Sequence, residues 1–270
     1  MAEKRYKARV VIPVYRTDMS PLAVASLRNT FEKLSSWPVT LVVPHGLDVS
    51  PLRRLLPAFD TACVSDEWLG VKNGIAGYNA MMLDRGFYDM FADSEYILVC
   101  HTDAWIFRDE LELWCDRGWD CVAAPWVGRR VYELPVVAQV SKLNRWIAAR
   151  RGRPVRADIY GKVGNGGLSL RRVDAFAAAC DRYADTAAMF LSQHHHLYNE
   201  DVFWATVPDG FRYPSQAEAL RFSFDTHPAY CYRLCGGRLP FGCHSWSKRR
   251  MFGFWKNIIP YKDYLAHDTL

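Results

Sequence analysis

The chain has neither Gly-x-Gly-x-x-Gly nor Gly-x-x-x-x-Gly-Lys-Ser/Thr, the glycine loops with which dinucleotide-binding and P-loop folds cradle phosphate. It also has no Gly-x-Ser-x-Gly, which excludes the usual nucleophile elbow of the α/β-hydrolases. Its eight cysteines form no Cys-x-x-Cys pair, and most lie in apolar stretches where a reduced thiol behaves as a small hydrophobe. A structural zinc would have to rest on Cys231, Cys235, Cys243 and His244. No run approaches the roughly 18 apolar residues of a membrane span, and the charged residues 1–7 are followed by no signal-peptide core. The expected compartment is the cytoplasm. A net charge of only +5 gives no general nucleic-acid binder, so nucleic acid is not an expected partner.

Half of the 270 residues are hydrophobic, ample for a large core. Ala8 to Tyr15 is a β-branched run, and Ser20-Pro21 then supplies an N-cap with proline at the first helical position. Val24, Leu27, Phe31 and Leu34 give that helix one apolar face. Further strands are predicted at Val39–Val43, near Ala62–Val64, at Tyr96–Cys100, at Cys121–Ala124 and at Leu168–Leu170. Helices are predicted near Leu52–Leu56, over Gly74–Phe91, at Leu111–Cys115 and from Val173 to about Leu191. Residues 231–244 are read as a strand pair turning at Gly236-Gly237. Strands alternating with helices predict an α/β sandwich with a mostly parallel sheet. No repeat or linker divides it, so residues 1–270 are read as one domain.

Charge is concentrated in one place. Residues 127–162 hold nine basic and two acidic residues, a surplus of seven that exceeds the +5 of the whole chain. This basic insertion is either a solvated helical excursion or a platform for phosphate-bearing or membrane-surface ligands.

In an α/β sheet, ligands sit at the carboxyl ends of the strands. The polar residues there are Tyr15-Arg16-Thr17, His45 to Asp48 and His101-Thr102-Asp103. Asp103 stands at the mouth of an apolar strand, where a carboxylate needs a partner: a cation, an arginine or a helix to cap. Glu200 and Asp201 open an aromatic helical segment, where the helix dipole alone favours acids and where a general base is the functional alternative. His244 sits in the apolar frame Leu239-Pro-Phe-Gly-Cys-His-Ser-Trp246, as a core histidine or as a ligand to a cation already held by a carboxylate.

Several blocks together resemble a poorly characterised group of microbial glycosyltransferase-like domains allied to the GT-A fold. They are Val11-Ile-Pro-Val-Tyr-Arg16, Gly77-Tyr-Asn79, His101-Thr-Asp-Ala-Trp105, Phe107-Arg-Asp-Glu-Leu111, Ala124-Pro-Trp126, Gly164-Asn-Gly-Gly-Leu-Ser-Leu170, Glu200-Asp-Val-Phe-Trp204 and Pro240-Phe-Gly-Cys-His-Ser-Trp246. The resemblance runs from residue 10 to about 255. It implies a GT-A-like, Rossmann-type sandwich that binds a nucleotide diphosphate sugar, with a UDP-sugar favoured, and passes the sugar to a hydroxyl of a glycan or lipid-linked acceptor.

Carried over by position, Pro13, Val14, Tyr15 and Arg16 would line the nucleotide pocket, with Tyr78 and Asn79 facing the base, ribose or diphosphate. His101, Thr102 and Asp103 stand where such enzymes carry Asp-x-Asp, and His244 would complete a site for manganese or magnesium. Asn165, Gly166 and Gly167 look like the glycine turn beside donor and acceptor. Asp201 and Glu200 would be the catalytic residues, Asp201 as the base of an inverting transfer, and Trp126, Trp204 and Trp246 would meet the acceptor. Asp-x-Asp itself is absent, as is Gln-x-x-Arg-Trp, which argues against a processive synthase. A non-catalytic nucleotide-sugar or glycan-binding module would keep the glycines and rings without needing Asp103 or Asp201. The segment 246–260, cationic and aromatic, is read either as a core helix or as a peripheral contact with the inner membrane surface during envelope polysaccharide assembly.

Overall fold

The computed structural model describes residues 4–128, 139–140, 146, 150 and 155–265. Most of the basic insertion therefore lies outside the described residues. Six strands form the central sheet: β1 (Tyr6–Pro13), β2 (Val39–Pro44), β3 (Asp60–Val64), β4 (Ser94–Cys100), β6 (Cys121–Ala123) and β7 (Leu168–Arg172). Their order is β3-β2-β1-β4-β7-β6, with β1 parallel to both β2 and β4, and β7 antiparallel to β4 and β6. Only β7 runs against the other five, so the sheet is mostly parallel as the alternation of elements predicts.

The two-residue period of each strand divides the core. On β4, Tyr96, Leu98 and Cys100 enter one apolar cluster while Ile97 and Val99 enter the other. Both faces are covered, which is why β4 reads as a continuous apolar run. Leu98 is fully buried, and truncating it to alanine would cost about 2–5 kcal/mol. Helix Pro21–Lys33 forms as its cap predicts, with Ser20 Oγ accepting from the Ala23 N–H at 3.3 Å and Leu27 and Phe31 buried.

Three expected elements differ. The stretch 74–91 is two helices, Gly74–Met82 and Arg85–Asp89, because Asp84 caps the second by accepting from the Gly86 N–H. The stretch 173–191 is likewise Val173–Arg182 and Ala184–Leu191. The expected strand pair at 231–244 is instead the helix Pro228–Leu234 followed by one short strand, β9 (Gly242–Cys243). Gly236 and Gly237, both with positive φ, end that helix rather than turn a hairpin.

A small second sheet, ordered β5-β9-β8, contains β5 (Trp105–Ile106) and β8 (Ser223–Phe224). β5 pairs with β9 in the register Trp105 to Cys243, and β8 pairs with β9 in the register Phe224 to Cys243. One residue outward from those pairs, Ala104, His244 and Asp225 converge. No helix among the described residues is long and apolar enough to cross a membrane.

Candidate functional site

The strand order fixes where a ligand belongs. Successive strands lead outward from β1 to β2 and β3 on one side and to β4 on the other, so the crevice at the carboxyl ends of β1 and β4 is the topological switch point. Pro13, Val14, Tyr15, Arg16 and Thr102 line a small cavity of about 80 Å³ there. Thus the segment after β1 and the segment after β4 meet.

The loop after β4 is held by the turn before β7, since the His101 N–H donates to the Gly167 carbonyl at 2.9 Å. The second sheet then brings His244 across to it. His101, Asp103 and His244 form a group whose ligand atoms all lie within 4.8 Å of one another. The Asp103 carboxylate is 3.1 Å from His244 Nε2 and 3.5 Å from Lys248 Nζ. The other nitrogen of His244, Nδ1, faces the Asp225 carboxylate at 3.1 Å. Tyr78, on helix Gly74–Met82, places its hydroxyl 2.8 Å from His101 Nε2. The rings of His101 and His244 meet edge to face, centroids 5.5 Å apart.

Two glycines allow this approach. A Cβ on Gly167 would collide with the His244 ring, and one on Gly166 with the Glu200 carboxylate. Both side chains are rigidly placed, so substitution displaces the site rather than a flexible chain end.

The charges sort themselves by surroundings. Burial opposes ionisation of Asp103, but His244, His101 and Lys248 outweigh it and hold the carboxyl well below the usual carboxylate range. Burial also opposes charge on His244, yet Asp103 and Asp225 push its imidazole up to about 9. Burial, followed by repulsion from His244, pushes His101 down to about 3, so that ring is neutral.

Two imidazoles and a carboxylate fit a divalent cation of borderline hardness. Asp225 on the far nitrogen of His244 supplies the outer carboxylate that orients metal-binding histidines. The cysteines contribute nothing to such a centre: Cys231 and Cys235 donate to the Thr226 and Leu220 carbonyls, and the ring of His244 faces Asp103 and Asp225.

Beside this cluster, Asn79 accepts from the Glu200 N–H at 3.1 Å and donates to Asn199, pinning the start of helix Glu200–Thr206. Glu200 and Asp201 then diverge. Both oxygens of Glu200 accept from Arg171 at 3.1 and 3.3 Å, and the pair is wholly buried with Arg171 also bonded to Tyr88 and Ser169. Among the described residues no cation pairs with Asp201. Its carboxylate accepts from the Val202 N–H at 2.8 Å, and burial followed by repulsion from Glu200 pushes it up to about 7.

Asn165 and Gly167 belong to the expected turn, closed by the Gly167 N–H donating to Asn165 Oδ1 at 3.2 Å.

The expected acceptor rings are placed otherwise. Trp204 is buried against Phe176 and Phe211 and donates to the Met82 carbonyl, and Trp246 is buried and donates to Ser26 Oγ. Their faces and N–H groups are taken by the protein's own core, so neither ring is open to a sugar. Trp126 is also buried, its ring edge against Gly164 of the turn. In the 246–260 segment Trp255 is fully buried too, while Lys248, Arg249 and Arg250 are exposed, so the two tryptophans face inward.

Sequence reasoning missed Asp225, Lys248 and Arg171. A signal existed for the first: Phe222-Ser-Phe224 ending in Asp225 repeats the pattern of an apolar strand ending in an acid that singles out Asp103. Two left-handed residues other than glycine, His227 and Ser245, lie within two positions of Asp225 and His244. Such strain gathers at functional sites.

The fold is that of the GT-A glycosyltransferases. The galactosyltransferase LgtC, solved with donor and acceptor sugar analogues, superposes with a TM-score of 0.58 at 12% identity, covering 97% of this chain and 96% of that one. The bifunctional glycosyltransferase WbbM gives 0.59 at 13% identity, covering 97% of this chain and 50% of that one. GlyE, a glycosyltransferase from Streptococcus pneumoniae TIGR4, gives 0.50 at 12% identity over 97% of this chain and 62% of its own. No curated protein matches the sequence. Residues 59–244 match the family described as Protein of unknown function (DUF5672), and the chain belongs to that family.

Proposed function

We propose that the chain is a glycosyltransferase that moves a sugar from a nucleotide diphosphate sugar, a UDP-sugar being favoured, to a hydroxyl of a glycan or lipid-linked acceptor, with inversion. The observation that carries this reading is the convergence of His101, Asp103 and His244 at the switch point of a GT-A sheet. Pro13 to Arg16 and Thr102 line the adjoining crevice and would receive the nucleotide. A manganese or magnesium ion held by His101, Asp103 and His244 would supply positive charge opposite the departing diphosphate.

The protein's own groups do the rest. Asp225 holds His244 by Nδ1 and so aims Nε2 at the carboxylate of Asp103. Tyr78, kept neutral by burial, holds His101 from the other side. Lys248, exposed beside Asp103, adds a mobile cation for the leaving phosphates. Asp201 is the base: raised to about 7, it takes up a proton from the acceptor hydroxyl near neutral pH. Glu200, fully engaged by Arg171, sets the position of Asp201 and takes no part in proton transfer.

The test is calorimetric titration of UDP, GDP and UDP-sugars with manganese and after EDTA. Metal-dependent binding of one nucleotide is expected. Metal-independent binding would move charge neutralisation to Lys248 and arginines. Binding without turnover on any acceptor would favour a nucleotide-sugar-binding module, and absence of all nucleotide binding would overturn the reading.

A further inference from the structure

A second cavity, of about 980 Å³, opens next to the cluster. Its wall begins at Thr226, adjacent to the Asp225 that holds His244, and it runs between helix Pro228–Leu234 and helix Arg249–Trp255. Helical spacing aims both helices into it. Tyr230 and Arg233 stand three residues apart on one, and Arg250 and Phe254 four apart on the other. Arg156, from the short turn Arg156–Asp158, closes the third side.

Three arginines from three separate elements thus line one concavity, and among the described residues no aspartate or glutamate lines it. None of the three forms an ion pair among the described residues. Several other arginines are matched by carboxylates, Arg9 by Asp60 and Asp93, Arg85 by Asp89, Arg212 by Asp120 and Arg171 by Glu200. Concentrating one sign of charge in a concave site draws in anions, and the guanidinium fork matches the two oxygens of a phosphate or carboxylate. Arg233 is held over the Tyr230 ring, 5.8 Å from its centroid, which limits the freedom it must lose on binding. Tyr230 and Phe254 add flat apolar faces, and the volume suits a small organic ligand rather than a bare ion.

We propose that this cavity receives an oxyanion carried by the acceptor, a sugar phosphate or a sugar carboxylate, so that the enzyme selects acidic acceptors. The inference rests on the glycosyltransferase reading and deepens it. An acceptor anchored by Arg156, Arg233 and Arg250 extends past Thr226 and Asp225 toward Asp201, which is close enough to Asp225 for their charges to interact.

The experiment titrates the full chain, saturated with UDP and manganese, with glucose 6-phosphate, glucuronate and glucose. At least one acidic sugar is expected to bind about tenfold or more tighter than glucose, with a preference between the two separating phosphate from carboxylate. The double variant Arg233→Ala/Arg250→Ala, which changes only exposed side chains, is expected to erase that preference while nucleotide binding stays within about twofold of the unaltered protein. Asp201→Asn is expected to leave it in place. Equal binding of glucose and both acidic sugars, or a preference that survives the double variant, would overturn the proposal while leaving the glycosyltransferase reading intact. Binding to phosphatidylglycerol vesicles through Arg233 and Arg250, with no saturable binding of the acidic sugars, would overturn it in favour of a membrane contact. Failure of the unaltered protein to bind any nucleotide would instead remove the glycosyltransferase reading, and the acceptor role with it.

Discussion

Asp103 and Asp201 are chemically the same group in two corners of one site, and their surroundings drive them apart. Asp103 faces His244 and Lys248 and is held ionised. Asp201 is half-buried beside Glu200, whose nearby arginine is already fully engaged, and desolvation pushes it up to about 7. A permanently charged carboxylate suits the holding of a cation, and one poised near neutrality suits the exchange of a proton. The difference between the two corners therefore supports the two proposed roles more sharply than either acid does alone.

Removing the fixed charge should have the largest effect. Asp103→Asn is expected to abolish metal-dependent nucleotide binding and to lower turnover by about 10³-fold or more, read by calorimetry and steady-state kinetics. Retained manganese-dependent binding in that variant would break the assignment of Asp103. Asp201→Asn should lower turnover by about 10²–10⁴-fold while nucleotide binding changes only a few-fold. If the two variants lost nucleotide binding equally, the division of labour would be wrong. Asp225→Asn touches the cation corner only through His244, so about 10–100-fold weaker manganese binding is expected, measured by titration with the metal alone.

How much of this was legible beforehand follows from local chemistry. The apolar runs of β1 and β4, and the Ser20-Pro21 cap, state their structure within a few residues, and the acid just past β4 points to the candidate site. At 231–244 Gly236-Gly237 suggests a hairpin turn, but His227-Pro228, with its proline at the first helical turn, is the stronger signal and starts a helix. Trp204 and Trp246 show a deeper difficulty. Composition says that a ring will be buried, but only the packing of Phe176, Phe211 and Ser26 says by what. Likewise Arg171 stands in the polar end of a strand, and nothing local says that Glu200, 29 residues later, will bury it.

The smallest effect sharpens the comparison through pH. Asp201 keeps its proton in the folded protein up to about 7, whereas an unfolded aspartate loses it near 4. Between those values the folded state binds the extra proton, so the contribution of Asp201 to stability is fully present below about 4 and is lost as pH rises through about 7. Activity moves in the opposite sense, because the base works only when deprotonated: kcat should climb with pH and level off above about 7. Asp201→Asn should remove this contribution from the stability curve and flatten the kcat profile, whereas Asp103→Asn should leave the contribution in place. Because His244, pushed up to about 9, and His101, pushed down to about 3, add slopes of their own, the measure is the difference from the unaltered protein in urea titrations at pH 5 and 6.5, alongside kcat profiles. A change in stability between pH 5 and 6.5 that is the same in Asp201→Asn as in the unaltered protein would mean that the proton held near neutrality belongs to another group, and Asp201 would lose its claim to be the base.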